Sequence, residues 1–180
     1  MKFIPTKLAG LRVVQPEVHE DVRGYFFESY SKKVFIENGI ADDFVQDNHS
    51  VSHKGVLRGL HYQVAPQEQA KLVCVAAGSA FDVVVDLRKG SKTFGQHVGE
   101  ILSAENKKMI YIPAGFAHGF CALEDDTHFL YKVSSEYSLV HERGVLWNDS
   151  DLAIVWPRMN VEYRVSEKDK KLPHFKQIAF

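Results

Sequence analysis

The segment FDVVVDL, from Phe81 to Leu87, alternates cleanly: Phe81, Val83, Val85 and Leu87 point one way, Asp82, Val84 and Asp86 the other. A period of two belongs to a strand, whose successive side chains face opposite sides of a sheet. The neighbouring segments read the same way at short spacings. Leu11 to Val14, Tyr25 to Ser29, Phe44 to Ser52, Val56 to Gln63 and Ala70 to Ala76 come before it. Val98 to Leu102, Lys108 to Ile112, His118 to Ala122 and His128 to Val133 come after. Turn residues punctuate the gaps at Ala77-Gly78-Ser79, Lys89-Gly90-Ser91, Glu105-Asn106 and Glu124-Asp125-Asp126. Many short strands separated by turn signals predict an all-β chain, a β-sandwich or barrel with a jelly roll among the options. Helix is confined to short peripheral pieces. Ser31 to Asn38 is one, with Ser31 as N-cap, Val34, Phe35 and Asn38 on one face and Gly39 as the stop. A second begins at Ser166, where Asp169 completes a weak capping box.

With 180 residues and no visible repeat, low-complexity tract or linker, one domain over residues 1–180 is expected, large enough for a full hydrophobic core. Lys plus Arg (22) nearly balance Asp plus Glu (23), so the overall charge points to neither nucleic acid nor membrane as partner. No apolar run approaches the ~20 residues that span a bilayer, and Met1-Lys2-Phe3-Ile4-Pro5 lacks the apolar stretch of a signal peptide. Cys74 and Cys121 lie in strand-like apolar runs and read as reduced, buried thiols. A soluble cytoplasmic protein is expected.

Four polar clusters carry the candidate chemistry. In Lys54 to Lys71, KGVLRGLHYQVAPQEQAK, His61 stands between two cations, Arg58 and Lys71. A lone histidine is more often structural than functional. One flanked by two fixed positive charges suggests a site for an anionic ligand, with a neutral imidazole ready to accept a proton. In Asp21-Val22-Arg23-Gly24 the arginine can bind a phosphate bidentately, and Glu28 can pair with it or accept hydrogen bonds from a sugar or base. A turn with a surface ion pair explains the same residues. In Gln46-Asp47-Asn48-His49-Ser50, the side chains of Gln46, Asn48 and Ser50 share one strand face, which meets either a ligand or solvent because buried unpaired amides are costly. The fourth cluster is Ile112-Pro113-Ala114-Gly115-Phe116-Ala117-His118-Gly119-Phe120.

In that last stretch, Pro-x-Gly-x-x-His after an apolar strand resembles a cupin signature. The companion signature is present in altered form: Gly55 and His61 match its start, but Gln63 replaces the second metal histidine and Lys71 stands where a ligand carboxylate belongs. An ammonium cannot ligate a metal and only His61 and His118 remain, so a metal site is read as lost and no cofactor is expected. KGVLRGLHYQ (Lys54 to Gln63), Gln69 to Val73, Asp82 to Arg88, Ser91 to Gly95, Ile112 to Phe120 and Trp147-Asn148-Asp149 together resemble the dTDP-4-dehydrorhamnose 3,5-epimerase family, from about Phe3 to Asp169 with the spacing between motifs kept.

That resemblance implies a metal-free, cupin-type homodimer acting on dTDP-4-keto-6-deoxyglucose. Its members invert C3 and C5 on the route to dTDP-L-rhamnose for bacterial polysaccharides. It implies that His61 is the base, Asp169 its carboxylate partner, Lys71 the cation facing the 4-keto oxygen and Tyr131 the acid on the opposite face. From the residues alone Tyr131 reads as a half-buried strand aromatic. The resemblance further implies Arg23 and Glu28 at the nucleotide diphosphate end, the arginine's loop reaching across a dimer. It implies ligand contacts from Gln46, Asn48, Arg58, His118, Glu142 and Lys168, and Tyr137 stacked on thymine. The chain departs from the family at His19, where a phenylalanine is common. A relative that epimerises C3 alone, or a binding cupin without catalysis, would carry much of the same motif set.

Overall fold

The computed structural model describes residues 1–178. The chain opens with strands β1 (Lys2–Pro5) and β2 (Arg12–Gln15), the hairpin β3 (His19–Asp21) and β4 (Gly24–Phe26), and helix α1 (Lys32–Glu37). Then follow β5 (Gln46–Ser52), β6 (Val56–Gln63), β7 (Lys71–Ala77), β8 (Ser79–Asp86) and β9 (His97–Ser103). The remaining strands are β10 (Met109–Ile112), β11 (Phe116–Ala122), β12 (Thr127–Val133), β13 (Glu142–Gly144) and β14 (Arg164–Val165). Single turns of 3-10 helix, Asp169–Lys171 and Phe175–Gln177, lie near the end of the chain.

Two sheets form a sandwich. One runs β1-β2-β10-β7-β12-β5 and the other β13-β6-β11-β8-β9. Every pairing in them is antiparallel except that of β14, which lies parallel to β6. Between the sheets, Val73, Val75, Ile110, Ile112 and Phe129 from the first meet Ala80, Val84, Leu102, Phe116 and Phe120 from the second. The Phe120 and Phe129 rings stack at 3.9 Å across this core.

The alternation in β8 is as expected, but neither face is solvated. Val83, Val85 and Leu87, with Phe81 beside them, pack in an outer cluster with Leu57, Leu60, Leu152 and Trp156. Residues 145–178 thus cover the outside of the second sheet. Asp82 and Asp86 are fully buried on the opposite side. Asp86 is satisfied by Arg88, Ser91 and Thr93. Asp82 becomes part of the site described below.

The expected strands are present with ends displaced by one or two residues in most cases. The strands not anticipated are β1, β3, β13 and β14, which are too short or too polar for a period of two to register, and the 3-10 turn Phe175–Gln177 was not anticipated either. Helix α1 forms, and Gly39 at φ +79° stops it. Ser31 occupies the N-cap without a side-chain hydrogen bond, and Phe35 is the buried residue of the helix. The helix expected from Ser166 is instead the 3-10 turn. Ser166 Oγ accepts the Asp169 N–H at 3.0 Å, but the Asp169 carboxylate turns away from the helix end. Leu172 precedes Pro173 and is extended at ψ 147°, as a residue before proline must be, so the turn cannot lengthen.

Candidate active site

Strands β6 and β11 place His61 and His118 directly opposite each other in the second sheet. Next to this pair the strands come unusually close. Gly59 has φ +115°, and a Cβ there would lie 2.6 Å from Gly119 Cα and 2.7 Å from the His118 carbonyl oxygen. Backbone cannot yield to such a clash, so only glycine fits. The Gly59 N–H, directed out of the β6–β11 ladder, donates to Asp169 Oδ2 at 3.2 Å.

Asp169 Oδ1 lies 2.7 Å from His61 Nε2. Ser166 fixes the turn that delivers the carboxylate over 108 residues of sequence separation. Burial pushes the Asp169 carboxyl up, but the hydrogen bonds from His61 and Gly59 and the facing imidazole outweigh it, and the net shift is downward. The aspartate stays ionised beside His61. His118 has its own carboxylate: Nε2 lies 2.7 Å from Asp82 Oδ2, on the adjacent strand β8. Asp82 is wholly buried, and neither its Oδ1 nor Ser50 Oγ has a hydrogen-bond partner among the described residues.

The first sheet supplies the facing wall. Lys71 opens β7 and is 8 % exposed. Tyr131 on β12 pairs with Val73 on β7, two residues along from Lys71, so the two side chains share a face. Burial pulls the Lys71 ammonium down to about 8, against the opposing pull of Asp82 and Glu142. Burial pushes the Tyr131 phenol up, partly offset by Arg58. At neutral pH the cavity therefore offers an ionised carboxylate on an imidazole, a buried cation that is easily deprotonated, and a neutral phenol.

These groups enclose a cavity of about 370 Å³ lined by Arg58, His61, Lys71, His118, Tyr131 and Asp169, with Lys168 at its edge. A second chamber of about 240 Å³ shares His61, Lys71 and Tyr131 and is lined further by Gln46, Asn48, Tyr137 and Glu142. The two form one cleft. The polar face of β5 turns into this cleft, with Ser50 lining the first chamber and Gln46 and Asn48 the second. Gln46 Nε2 donates to Asn48 Oδ1 at 2.8 Å, and Gln46 Oε1 accepts the Tyr137 N–H at 2.9 Å. The Tyr137 hydroxyl donates to Glu142 at 2.9 Å, and Lys168 is ion-paired to the same carboxylate. Gln63, in the place of a metal ligand, is buried and anchors this loop by accepting the Ser138 N–H at 2.6 Å and donating to the Glu136 carbonyl at 3.2 Å. No group of three or more His, Cys, Asp or Glu side chains able to hold a metal ion occurs among the described residues.

Two expected site residues are not brought to the cleft within one chain. Arg23 is 85 % exposed on the β3–β4 hairpin, where it pairs with Asp21. It lines a separate depression with His19 and Tyr25, and Glu28, also exposed, lines neither chamber. Among the described strands, β3 and β4 pair only with each other, and Lys107 over the Tyr25 ring at 4.4 Å ties the hairpin to the body of the chain without bringing Arg23 to the cleft. Arg164, which lines the cleft, and Asp82, buried behind His118, are site residues that the sequence reading left out. An aspartate set among valines in a buried strand was a usable signal for Asp82, since such a charge requires a partner. Arg164 gave no signal, because β14 has only two residues.

The described residues contain no helix long and apolar enough to cross a membrane, and Cys74 and Cys121 are both free thiols. Among known proteins, the family described as dTDP-4-dehydrorhamnose 3,5-epimerase matches residues 5–177. A relative of that name from Shigella flexneri is 52% identical over 94% of this chain and 93% of its own length. One from Pseudomonas aeruginosa is 51% identical over 95% and 94%. Among solved structures, dTDP-6-deoxy-D-glucose-3,5-epimerase from Legionella pneumophila, in complex with dTDP-4-keto-L-rhamnose, superposes with a TM-score of 0.95 at 47% identity, covering 99% of this chain and 94% of that one. A 3'-monoepimerase from Streptomyces bikiniensis, in complex with dTDP-quinovose, superposes with a TM-score of 0.90 at 36% identity, covering 96% and 87%. The fold is thus the cupin-type sandwich of these enzymes, and the chain belongs to the dTDP-4-dehydrorhamnose 3,5-epimerase family.

Proposed function

We propose that this enzyme inverts C3 and C5 of dTDP-4-dehydro-6-deoxy-D-glucose, giving dTDP-4-dehydro-L-rhamnose for dTDP-L-rhamnose biosynthesis. The observation that carries the mechanism is that His61 and Tyr131 stand on opposite sheets across one cavity, with Lys71 buried in the same space. A proton on a carbon next to a ketone is acidic because the carbanion delocalises into an enolate. Inversion requires its removal from one face and the delivery of another to the opposite face.

Asp169 accepts the His61 Nε2–H, which leaves Nδ1 with the lone pair that takes the substrate proton. The carboxylate then balances the imidazolium. Lys71 lies where a buried ammonium stabilises the 4-enolate, an interaction that strengthens as negative charge develops on that oxygen. Tyr131, protonated at neutral pH, returns a proton from the other wall. Arg58, His118 and Lys168 border the first chamber, and Gln46, Asn48, Tyr137 and Glu142 the second; within this one cleft the cations of the first suit the diphosphate, and the amides and ring of the second suit the nucleoside. Tyr137, 54% exposed where it lines the second chamber, is the aromatic placed to stack on the thymine.

The β3–β4 hairpin bears on quaternary structure. It exposes Val22, Tyr25 and Phe26 beside Arg23. In this reading two chains form a homodimer in which Arg23 and Glu28 of each complete the diphosphate end of the partner's cleft. A cytoplasmic location fits the free thiols.

The test is proton NMR of dTDP-4-dehydro-6-deoxyglucose in deuterated water. Exchange is expected at both C3 and C5, and exchange at C3 alone would reassign the chain as a C3-epimerase. His61→Asn is expected to abolish exchange at both carbons while dTDP still binds. Turnover unaltered by that substitution would remove His61 as the base.

A further inference from the structure

We propose that Arg164 is a second guanidinium for the diphosphate of the nucleotide sugar, acting beside Arg58 at the mouth of the cleft. This rests on the reading of the ligand as a nucleoside diphosphate sugar, and it assigns to this site a residue from an element that no sequence pattern announced.

The position of Arg164 is closely determined. Strand β14 lies parallel to β6, with Arg164 beside Val56 and Val165 beside Leu57. The Arg164 N–H donates to the Gly55 carbonyl at 2.8 Å. Gly55, at φ +83°, lets the incoming chain approach, since a Cβ there would be 2.8 Å from the Glu162 carbonyl oxygen. Val165 packs in the outer cluster that contains Leu57. Neighbouring residues on a strand face opposite ways, so Arg164 points to the other side, the side of Val56 and Arg58. All three line the 370 Å³ cavity. One strand spacing sideways and two residues along separate the stems of the two arginines by about 8 Å, so both guanidinium groups reach a single extended dianion.

The charges point the same way. Arg164 makes no side-chain hydrogen bond or ion pair with any described residue. Among the described residues Arg58 is held only by neutral partners, Ser52 Oγ at 3.2 Å and the Val51 carbonyl at 3.5 Å. Lys168, the other cation at this rim, is already balanced by Glu142. Two uncompensated guanidinium groups on one face of a cleft mouth create a field for an anion, and guanidinium matches phosphate oxygens bidentately. The reacting groups also line the cavity, His61 three residues further along β6 than Arg58 and Lys71 and Tyr131 on the facing sheet, so this pair handles the phosphates and takes no part in proton transfer.

The experiment is calorimetric titration of the full-length protein with dTDP, together with steady-state epimerisation kinetics, for wild type, Arg164→Ala, Arg164→Lys and Arg164→Glu. Arg164→Ala is expected to weaken dTDP binding roughly tenfold, and to raise KM for the sugar nucleotide by a similar factor with the loss in KM rather than kcat. Arg164→Glu is expected to weaken binding further. Arg164→Lys is expected to recover part of the affinity, keeping the charge but losing the fork. Thermal melts close to wild type are expected throughout, because the side chain is exposed and the backbone bond to Gly55 is untouched. dTDP affinity within twofold of wild type in both Arg164→Ala and Arg164→Glu would overturn the proposal, as would a loss confined to kcat. A wild-type protein that binds dTDP in an Arg164-dependent way yet exchanges no substrate proton would sink the epimerase reading and leave this one standing. A wild type with no dTDP affinity would overturn both.

Discussion

Replacing Asp169 with asparagine isolates what its charge does for His61. The substitution is nearly isosteric, and the site constrains how an amide can sit. Asp169 is 3% exposed and serves two donors at once, the His61 ring through Oδ1 at 2.7 Å and the Gly59 N–H through Oδ2 at 3.2 Å. An asparagine has one acceptor oxygen for these two. If that oxygen keeps the Gly59 N–H, the amide NH2 faces His61 Nε2. The imidazole must then carry its proton on Nδ1, the nitrogen that has to be empty to take one from the substrate. If the amide flips, its NH2 opposes the Gly59 N–H and a buried donor loses its partner, at about 1–3 kcal/mol. In both orientations the counter-charge for the imidazolium is gone, and a hydrogen bond to a charged group is worth about 1.5–3 kcal/mol. Adding the two losses predicts a fall in kcat of roughly 10² to 10⁴, with dTDP affinity changed by no more than a few-fold.

The assay is single-turnover deuterium incorporation at C3 and C5, followed by NMR and normalised to dTDP binding. Exchange within threefold of wild type at both carbons would refute the argument, since neither tautomer nor counter-charge would then matter. A stability readout accompanies it. The folded Asp169 carboxyl titrates below its ordinary value, so its contribution is fully present above the unfolded pKa and is lost as pH falls through the folded one. Asp169→Asn is therefore expected to melt below wild type at neutral pH, with the gap closing in acid.

Two further outcomes are expected. Lys71→Met should stop exchange while raising stability at pH 7 by as much as about 3 kcal/mol, because burial has brought the ammonium from 10.5 to about 8. The cost of burying that charge is full below pH 8 and fades as pH rises toward 10.5, so the advantage of the variant shrinks across that window, and a melting temperature below wild type at pH 7 would contradict the account. His118→Ala strands the wholly buried Asp82 carboxylate and should cost about 3–5 kcal/mol in urea denaturation. The double variant His118→Ala with Asp82→Ala should recover part of that loss, and a simple sum of two losses would show that the pair is not coupled.

The sequence by itself determined an all-β chain of short strands, leaving sandwich or barrel open, since a period of two is a local property of the chain and turn residues mark where each strand stops. It also made the core of the site legible. His61 and Lys71 fall in one stretch with Arg58, and His118 follows a Pro-x-Gly turn, so each was visible within a short window. Tyr131, Asp169 and Glu142 could be named only through resemblance to a family. Nothing near Leu130 or Lys168 says that those side chains meet His61.

What the tertiary structure alone decided is register and convergence. Whether the polar face of β5 met ligand or solvent depended on which side of the sandwich it turned to. The partner of Asp82 depended on the pairing of β8 with β11. The second helix was lost because Pro173 ended it and its carboxylate was used across the fold by His61 and Gly59. Arg164 reached the cleft only because a two-residue strand docks against a glycine more than a hundred positions earlier. Contacts of that kind arise from how strands stack side by side, and a single strand carries no record of which neighbour it will have.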